Sequence, residues 1–199
     1  MRRRLAGFLL IAVGIYPSTV AAAETTPAAD WGVAQLMQSL GQVKTARGKF
    51  VERKYLAILS APLEFSGVLV YTAPGRLEKH TLLPQPESLV LEQDQLTLEN
   101  KARNQRRTLV LQDYPVIWAF VESIRSTLAG DLQTLNRFYR ISLEGSGDRW
   151  RLLLAPNEPK MQAVVSEIRI SGSKNRIRAI EIVEAGGDRS VMTITEDAP

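Results

Sequence analysis

Through most of this chain apolar and polar residues alternate one by one. Leu63, Phe65, Gly67, Leu69 and Tyr71 interleave with Glu64, Ser66, Val68 and Val70, a period of two that predicts a strand with one face on a core. Comparable short runs occur at Lys49 to Leu56, Arg76 to Leu82, Ser88 to Glu92, Gln95 to Glu99 and Arg106 to Gln112. They resume at Tyr139 to Leu143, Trp150 to Leu154, Val164 to Ser171, Arg176 to Glu184 and Ser190 to Thr195. Turn-forming residues punctuate them: Ser60-Ala-Pro62, Pro74-Gly75, Pro84 with Pro86, Asp94, Asn104, Gly145-Ser-Gly147-Asp148, Gly172 and Gly186-Gly187. The fold class is therefore mainly β with α. About eleven strands with short connections predict a single-domain, strongly curved antiparallel meander.

Three stretches break the rhythm. From Pro115 to Ala129, Ile117, Phe120, Val121, Ile124 and Leu128 recur at three- and four-residue steps, which stacks them on one helix face. Pro115 suits a first turn and Gly130 a stop. Val116, Trp118 and Ala119 widen the apolar surface, so this helix needs cover on more than one side. It either fills the core or closes a cavity. A first helix is expected from Trp31 to Gln42, capped by Asp30, with Trp31, Leu36 and Leu40 to one side. A short amphipathic one is expected from Asp131 to Phe138. The connection from Ala155 to Val164, with Pro156 and Pro159, has no defined pattern.

The first 23 residues stand apart. Arg2, Arg3 and Arg4 precede an apolar run from Leu5 to Tyr16, and Ala21-Ala22-Ala23 supplies small residues before Glu24. That is the pattern of a bacterial secretory signal peptide cleaved after Ala23. The run is short against the roughly 20 residues a spanning helix needs. The expected location is the periplasm, with residues 24–199 as one domain. Losing the three leader arginines lowers the net charge from +4 to +1, so strong attraction to nucleic acid or anionic membrane is not implied. The absence of cysteine excludes disulfides, thiolate metal sites and cysteine nucleophiles.

Catalytic chemistry is thin. His80 is the single histidine, so no two-histidine metal motif can form and a serine triad would have to use it. Its plainer reading is an exposed strand histidine. Ser171-Gly-Ser-Lys174 has the spacing of a serine–lysine pair but falls between two strand patterns and lacks companion motifs. No glycine-rich phosphate loop occurs. The expectation is a non-enzyme without cofactor or metal. Lys101, Arg103, Arg106 and Arg107 form the densest basic cluster. They read as a solvated loop and strand edge, or as a dock for an acidic membrane partner or phospholipid headgroups. No aromatics interleave, which argues against single-stranded nucleic acid.

Taken in order, the leader, the first helix, Gly48-Lys-Phe50-Val-Glu52, Gly67-Val-Leu-Val-Tyr-Thr-Ala-Pro-Gly-Arg76, the strand pair from Glu87 to Glu99, the apolar helix and Trp150-Arg-Leu-Leu-Leu-Ala-Pro156 resemble the LolA-like family of periplasmic lipoprotein and lipid carriers. The resemblance covers Trp31 to Thr195. It implies an incomplete barrel of about eleven antiparallel strands, with helices lidding an apolar cavity that takes acyl chains. Lipoprotein-carrying members commonly have Arg where Ala73 stands, and a second Arg and a Trp where Glu78 and Lys79 stand. The chain thus looks closer to a divergent branch associated with RND-type lipid or polyene exporters. The implied partners are a lipid or acylated cargo, an inner-membrane exporter of RND or ABC type and an outer-membrane acceptor, with no nucleic acid, and a monomeric carrier. A carrier is physically apt, because an acyl chain of roughly 15 carbons costs on the order of 12 kcal/mol to expose to water. On this reading the candidate wall residues are Phe65, Leu69, Leu89, Leu91, Leu109, Leu111, Trp150, Leu152, Ile168 and Ile170. The candidate cover residues are Trp118, Phe120, Val121 and Ile124. The alternative is a structural or assembly β-protein of the envelope whose helix is plain core.

Overall fold

Eleven strands hydrogen-bond into one antiparallel sheet: β1 (Thr45–Tyr55), β2 (Leu63–Thr72), β3 (Arg76–Leu83), β4 (Glu87–Glu92), β5 (Gln95–Asn100), β6 (Gln105–Val110), β7 (Tyr139–Ser146), β8 (Arg149–Pro156), β9 (Val165–Ser173), β10 (Arg176–Glu184) and β11 (Arg189–Glu196). The computed structural model describes residues 31–196. The signal peptide and cleavage site read at residues 1–23, and the Asp30 cap, lie outside them. The spatial order is β6-β5-β4-β3-β2-β1-β11-β10-β9-β8-β7. Two meanders thus meet where β1 pairs with β11, and the sheet stays open, with β6 and β7 as its edges. Among the described residues four α-helices accompany it: α1 (Val33–Gly41), α2 (Pro115–Ala129), α3 (Leu132–Phe138) and α4 (Pro159–Gln162).

Local chemistry explains the helix ends. Pro115 opens α2, and Gly130 closes it in the left-handed region at φ 71°, where Asp131 N–H reaches back to the Ser126 carbonyl at 2.8 Å. The Asp131 carboxylate then caps α3 by accepting from Thr134 N–H at 2.9 Å, and hydrogen bonds from the Thr134 side chain and backbone hold its pKa down. Three boundaries differ from the sequence reading. α1 begins at Val33 with Gly32 at its N-cap and no side-chain cap. β6 stops at Val110, because Leu111–Asp113 turns as a 3-10 segment that drops Leu111 into the interior. The connection after β8 contains α4, whose Met161 is buried.

The concave face is divided. Over β8 and β9 it is filled: Leu36, Met37 and Leu40 of α1 and Leu135 of α3 pack on Trp150, Leu152, Leu154, Ile168 and Ile170. Gly172 makes the seat for Trp150, since a Cβ there would lie 2.4 Å from the indole, whose Nε1 donates to the Lys174 carbonyl at 2.8 Å. A smaller cluster of Leu91, Leu96, Leu109, Leu111 and Val121 anchors α2 to β4, β5 and β6. Between the two clusters the sheet is not filled.

Candidate functional site

The register fixes which side chains face that gap. On β1 the inward positions are Ala46, Gly48, Phe50, Glu52 and Lys54, and burial alternates accordingly. Across β1 and β2, Ala46 opposes Tyr71, Gly48 opposes Leu69 and Phe50 opposes Gly67. Across β2 and β3, Tyr71 opposes Leu77 and Leu69 opposes Lys79; across β3 and β4, Leu77 opposes Leu91 and Lys79 opposes Leu89. On the other side of β1, Met192 and Ile194 of β11 and Ile180 and Ile182 of β10 continue the face.

A cavity of about 1010 Å³ lies between this face and α2. Well-packed interiors have few voids larger than a water molecule, so a space of this size is no packing flaw. Ile117, Phe120, Val121, Ile124 and Leu128 form its helical wall. The burial of α2 is the reverse of what its composition suggests. Glu122, Ser123, Ser126 and Thr127 are buried, whereas Ile117, Phe120, Ile124 and Leu128 keep partial exposure on the cavity side. The polar side is internally satisfied: Ser123 Oγ donates to the Phe120 carbonyl and Thr127 Oγ1 to the Ser123 carbonyl, each at 2.6 Å. Glu122 accepts from Trp118 Nε1 at 3.1 Å and forms an ion pair with Arg125. Arg125 in turn donates to the Gln93 carbonyl at 2.9 Å, which ties α2 to the β4–β5 turn. Tyr139 donates its hydroxyl to the Ala119 carbonyl at 3.0 Å, and burial raises that phenol's pKa.

The sequence-designated residues divide accordingly. Leu69, Leu89, Leu91, Phe120, Val121 and Ile124 line the cavity. Trp150, Leu152, Ile168 and Ile170 point to the same concave side but lie beneath α1 and α3 as solid core. Leu109 and Leu111 pack in the cluster that seats α2. Trp118 is turned towards Phe138, with ring centroids 5.6 Å apart, and Phe65 lies under the Lys54 ammonium at 5.1 Å. Sequence reasoning missed Tyr71, Leu77, Ile180, Ile182, Met192 and Ile194, which all line the space. Their two-residue alternation was the available signal.

The cavity has one polar region. Glu52, only 6% exposed, forms an ion pair with Lys79 and accepts from Ser190 Oγ at 2.6 Å, with Lys54 Nζ 3.8 Å away. Lys79 reaches Glu52 across β2, with its ammonium 5.0 Å from the Phe50 ring. Burial pushes the Glu52 carboxyl up, but Lys79, Ser190 and Lys54 outweigh it and the pKa is lowered.

The basic cluster is exposed but split. Lys101 and Arg103 lie on a 3-10 turn, and Arg106 and Arg107 on edge strand β6. Arg106 opposes Glu99 and Arg107 opposes Leu98, so adjacent guanidinium groups start from opposite faces. Arg103 and Arg107 help line a second cavity of about 290 Å³, which shares Lys79 and Leu89 with the larger one. His80 is 40% exposed, with Nε2 2.8 Å from Glu78. No helix among the described residues is long and apolar enough to cross a membrane.

The family model described as "Outer membrane lipoprotein carrier protein LolA-like" matches residues 22–198. The chain belongs to this LolA-like family. Similar solved structures include a LolA superfamily protein from Nitrosomonas europaea, at 9% identity and TM-score 0.45, covering 84% of this chain and 95% of that one. The lipoprotein LppX of Mycobacterium tuberculosis aligns at 11% identity and TM-score 0.44, over 84% and 95%. The Pseudomonas aeruginosa MucA/MucB complex gives 12% identity and TM-score 0.47, over 84% of this chain and 58% of that one. No curated protein matches the chain. The open eleven-stranded sheet, with its cavity between α2 and strands β1 to β5, β10 and β11, is thus that of a member of the LolA-like family.

Proposed function

We propose that the protein is a non-enzymatic carrier of the bacterial envelope that holds acyl chains in the cavity beneath α2 and passes them between membranes. The carrying observation is the inverted burial of α2. In a plain core, Phe120 and Ile124 would be its most buried side chains; instead they border open space while Glu122 and Thr127 are buried. Membership of a carrier-like family supports the same reading. Each methylene removed from water contributes about 0.8 kcal/mol, so a dry groove suffices to retain a chain without acid–base chemistry. In this proposal Leu69, Leu89, Leu91, Phe120, Val121 and Ile124 contact cargo, and α2 is its cover. Lys101, Arg103, Arg106 and Arg107 face an inner-membrane exporter or an outer-membrane acceptor. Export through the leader at residues 1–23 places the carrier in the periplasm.

The test is native mass spectrometry of the protein isolated from its own periplasm, beginning at Glu24. A co-purifying lipid that is lost when Phe120 and Ile124 are both changed to Asn supports the carrier. A lipid-free protein that also fails to bind an acyl probe would make it a structural envelope protein.

A further inference from the structure

The polar region of the cavity is short of negative charge. Two ammonium groups, Lys54 and Lys79, face one carboxylate, Glu52, on the concave side of the sheet. Glu52 is already committed: Lys79 takes one oxygen, and Ser190 and Lys54 share the other. The neighbouring charges on this lining do not restore the balance. Glu78 is held by Arg76 and His80, Glu196 by Arg176 at 3.1 Å, and Glu184 sits at the exposed end of β10, where solvent screens it, while Arg189 pairs with Glu181 at 3.8 Å and lies over Tyr55. Lys54 is held at a loose 3.8 Å from Glu52 and 5.1 Å from the Phe65 ring, so its three donors are not consumed. Lys54 is 43% exposed and its donors are solvated, so an anion entering the cavity meets a cation that Glu52 does not neutralise.

Resting on the carrier reading, we infer that the cavity ligand is an amphiphile with an anionic headgroup, a carboxylate or a phosphate ester, which docks on Lys54 and Lys79 while its chain lies along Phe120, Val121 and Ile124. Glu52 holds the two lysines in place and prevents an excess of cations from binding a second anion. Ser190 fixes Glu52 and contributes no charge. The site therefore selects one negative group at the end of an apolar tail.

Calorimetric titration of the full-length protein with dodecanoate, dodecyl phosphate and the neutral ester 1-monolaurin tests this. Wild type should bind at least one of the two anions about tenfold more tightly than monolaurin, the scale of one charge-assisted hydrogen bond. Which anion binds more tightly identifies the headgroup. In Lys54→Met the ratio of anion to monolaurin affinity should shrink to below about twofold, and Lys54→Arg should retain it. Lys54 is 43% exposed, so the substitution leaves the fold intact, which a melting curve checks. Equal affinity for anions and monolaurin, or a preference that survives in Lys54→Met, overturns the headgroup inference alone. Failure of all three amphiphiles to bind overturns the carrier reading with it.

Discussion

The side chain of Arg125 lies against Gly75 so closely that a Cβ on the glycine would sit 2.7 Å from Arg125 Cδ. A turn of the sheet and the middle of α2 are thereby in contact, and Arg125 also holds the Gln93 carbonyl of a second turn. Gly75→Val should push the guanidinium off Glu122 and Gln93 and loosen α2. Hydrogen exchange should show faster opening of α2 amides, with the amides of β8 and β9 unchanged.

Removing Arg125 itself should be costly for a different reason. Glu122 is 5% exposed, and Arg125→Met would leave its buried carboxylate without a cation. The expected loss is about 3–5 kcal/mol in denaturant unfolding. Adding Glu122→Gln should recover a large part of it, because the Trp118 donor keeps a neutral acceptor. Additive losses in the double variant would refute this coupling.

Phe120→Ala should be mild. Its ring borders existing space, so truncation is expected to cost about 1–2 kcal/mol, whereas Leu154→Ala, in the filled half, should cost about 2–5 kcal/mol. An acyl ligand should raise the melting temperature of wild type more than that of the Phe120 variant. A loss at Phe120 as large as at Leu154 would mark α2 as ordinary core.

Acid should weaken the β1–β3 cross-link. Glu52 titrates below the ordinary glutamate value of 4.5: burial raises it, but Lys79, Ser190 and Lys54 together lower it further. A depressed carboxyl contributes stability that is fully present above the unfolded value and is lost as pH falls through the folded one. Stability of wild type relative to Glu52→Gln should therefore be constant near neutrality and decline as pH drops below about 4.5. A difference that does not change with acid would show that the ion pair contributes nothing.

Reversing Arg103, Arg106 and Arg107 to Glu should slow association with an anionic membrane partner and remove its salt dependence. The fold should lose little, about 1 kcal/mol or less, because the only opposed acidic residue in the register is Glu99 across from Arg106. Transfer kinetics that stay unchanged would leave these residues as edge-strand protection.

Much of the fold was legible because its signal is local. The alternation from Leu63 to Tyr71 and the three- and four-residue spacing in α2 are visible without any partner, and both elements form where the pattern puts them. Half-turn details were less so: Leu111 is apolar and in phase with β6, yet the chain turns there to bury it. The site was only partly legible, because an inward-facing residue can end under a helix or beside open space. Trp150, Leu152, Ile168 and Ile170 differ from Leu69 and Leu89 only in what α1 and α3 cover. Ile180 and Met192 reach the cavity only because β11 pairs with β1, a long-range event with no mark in either segment. Lys79, noted in the sequence as a departure from the lipoprotein-carrying pattern, became an interpretable residue only once Glu52 was seen beside it.

The pairing of β1 with β11 has a consequence for how the molecule is made. Gly48 pairs in register with Glu196, so the middle of the sheet is closed by residues 148 positions apart in the chain. Each meander can zip locally, but the seam between them waits for the last strand. Until then β1 presents an unpaired border, and the apolar residues of β2 and α2 have no second wall. Such non-local closure is slow and leaves the nascent chain exposed to aggregation. Through that interval the unfinished protein is itself a greasy passenger in need of an escort, and the molecule becomes self-sufficient only when its final strand arrives.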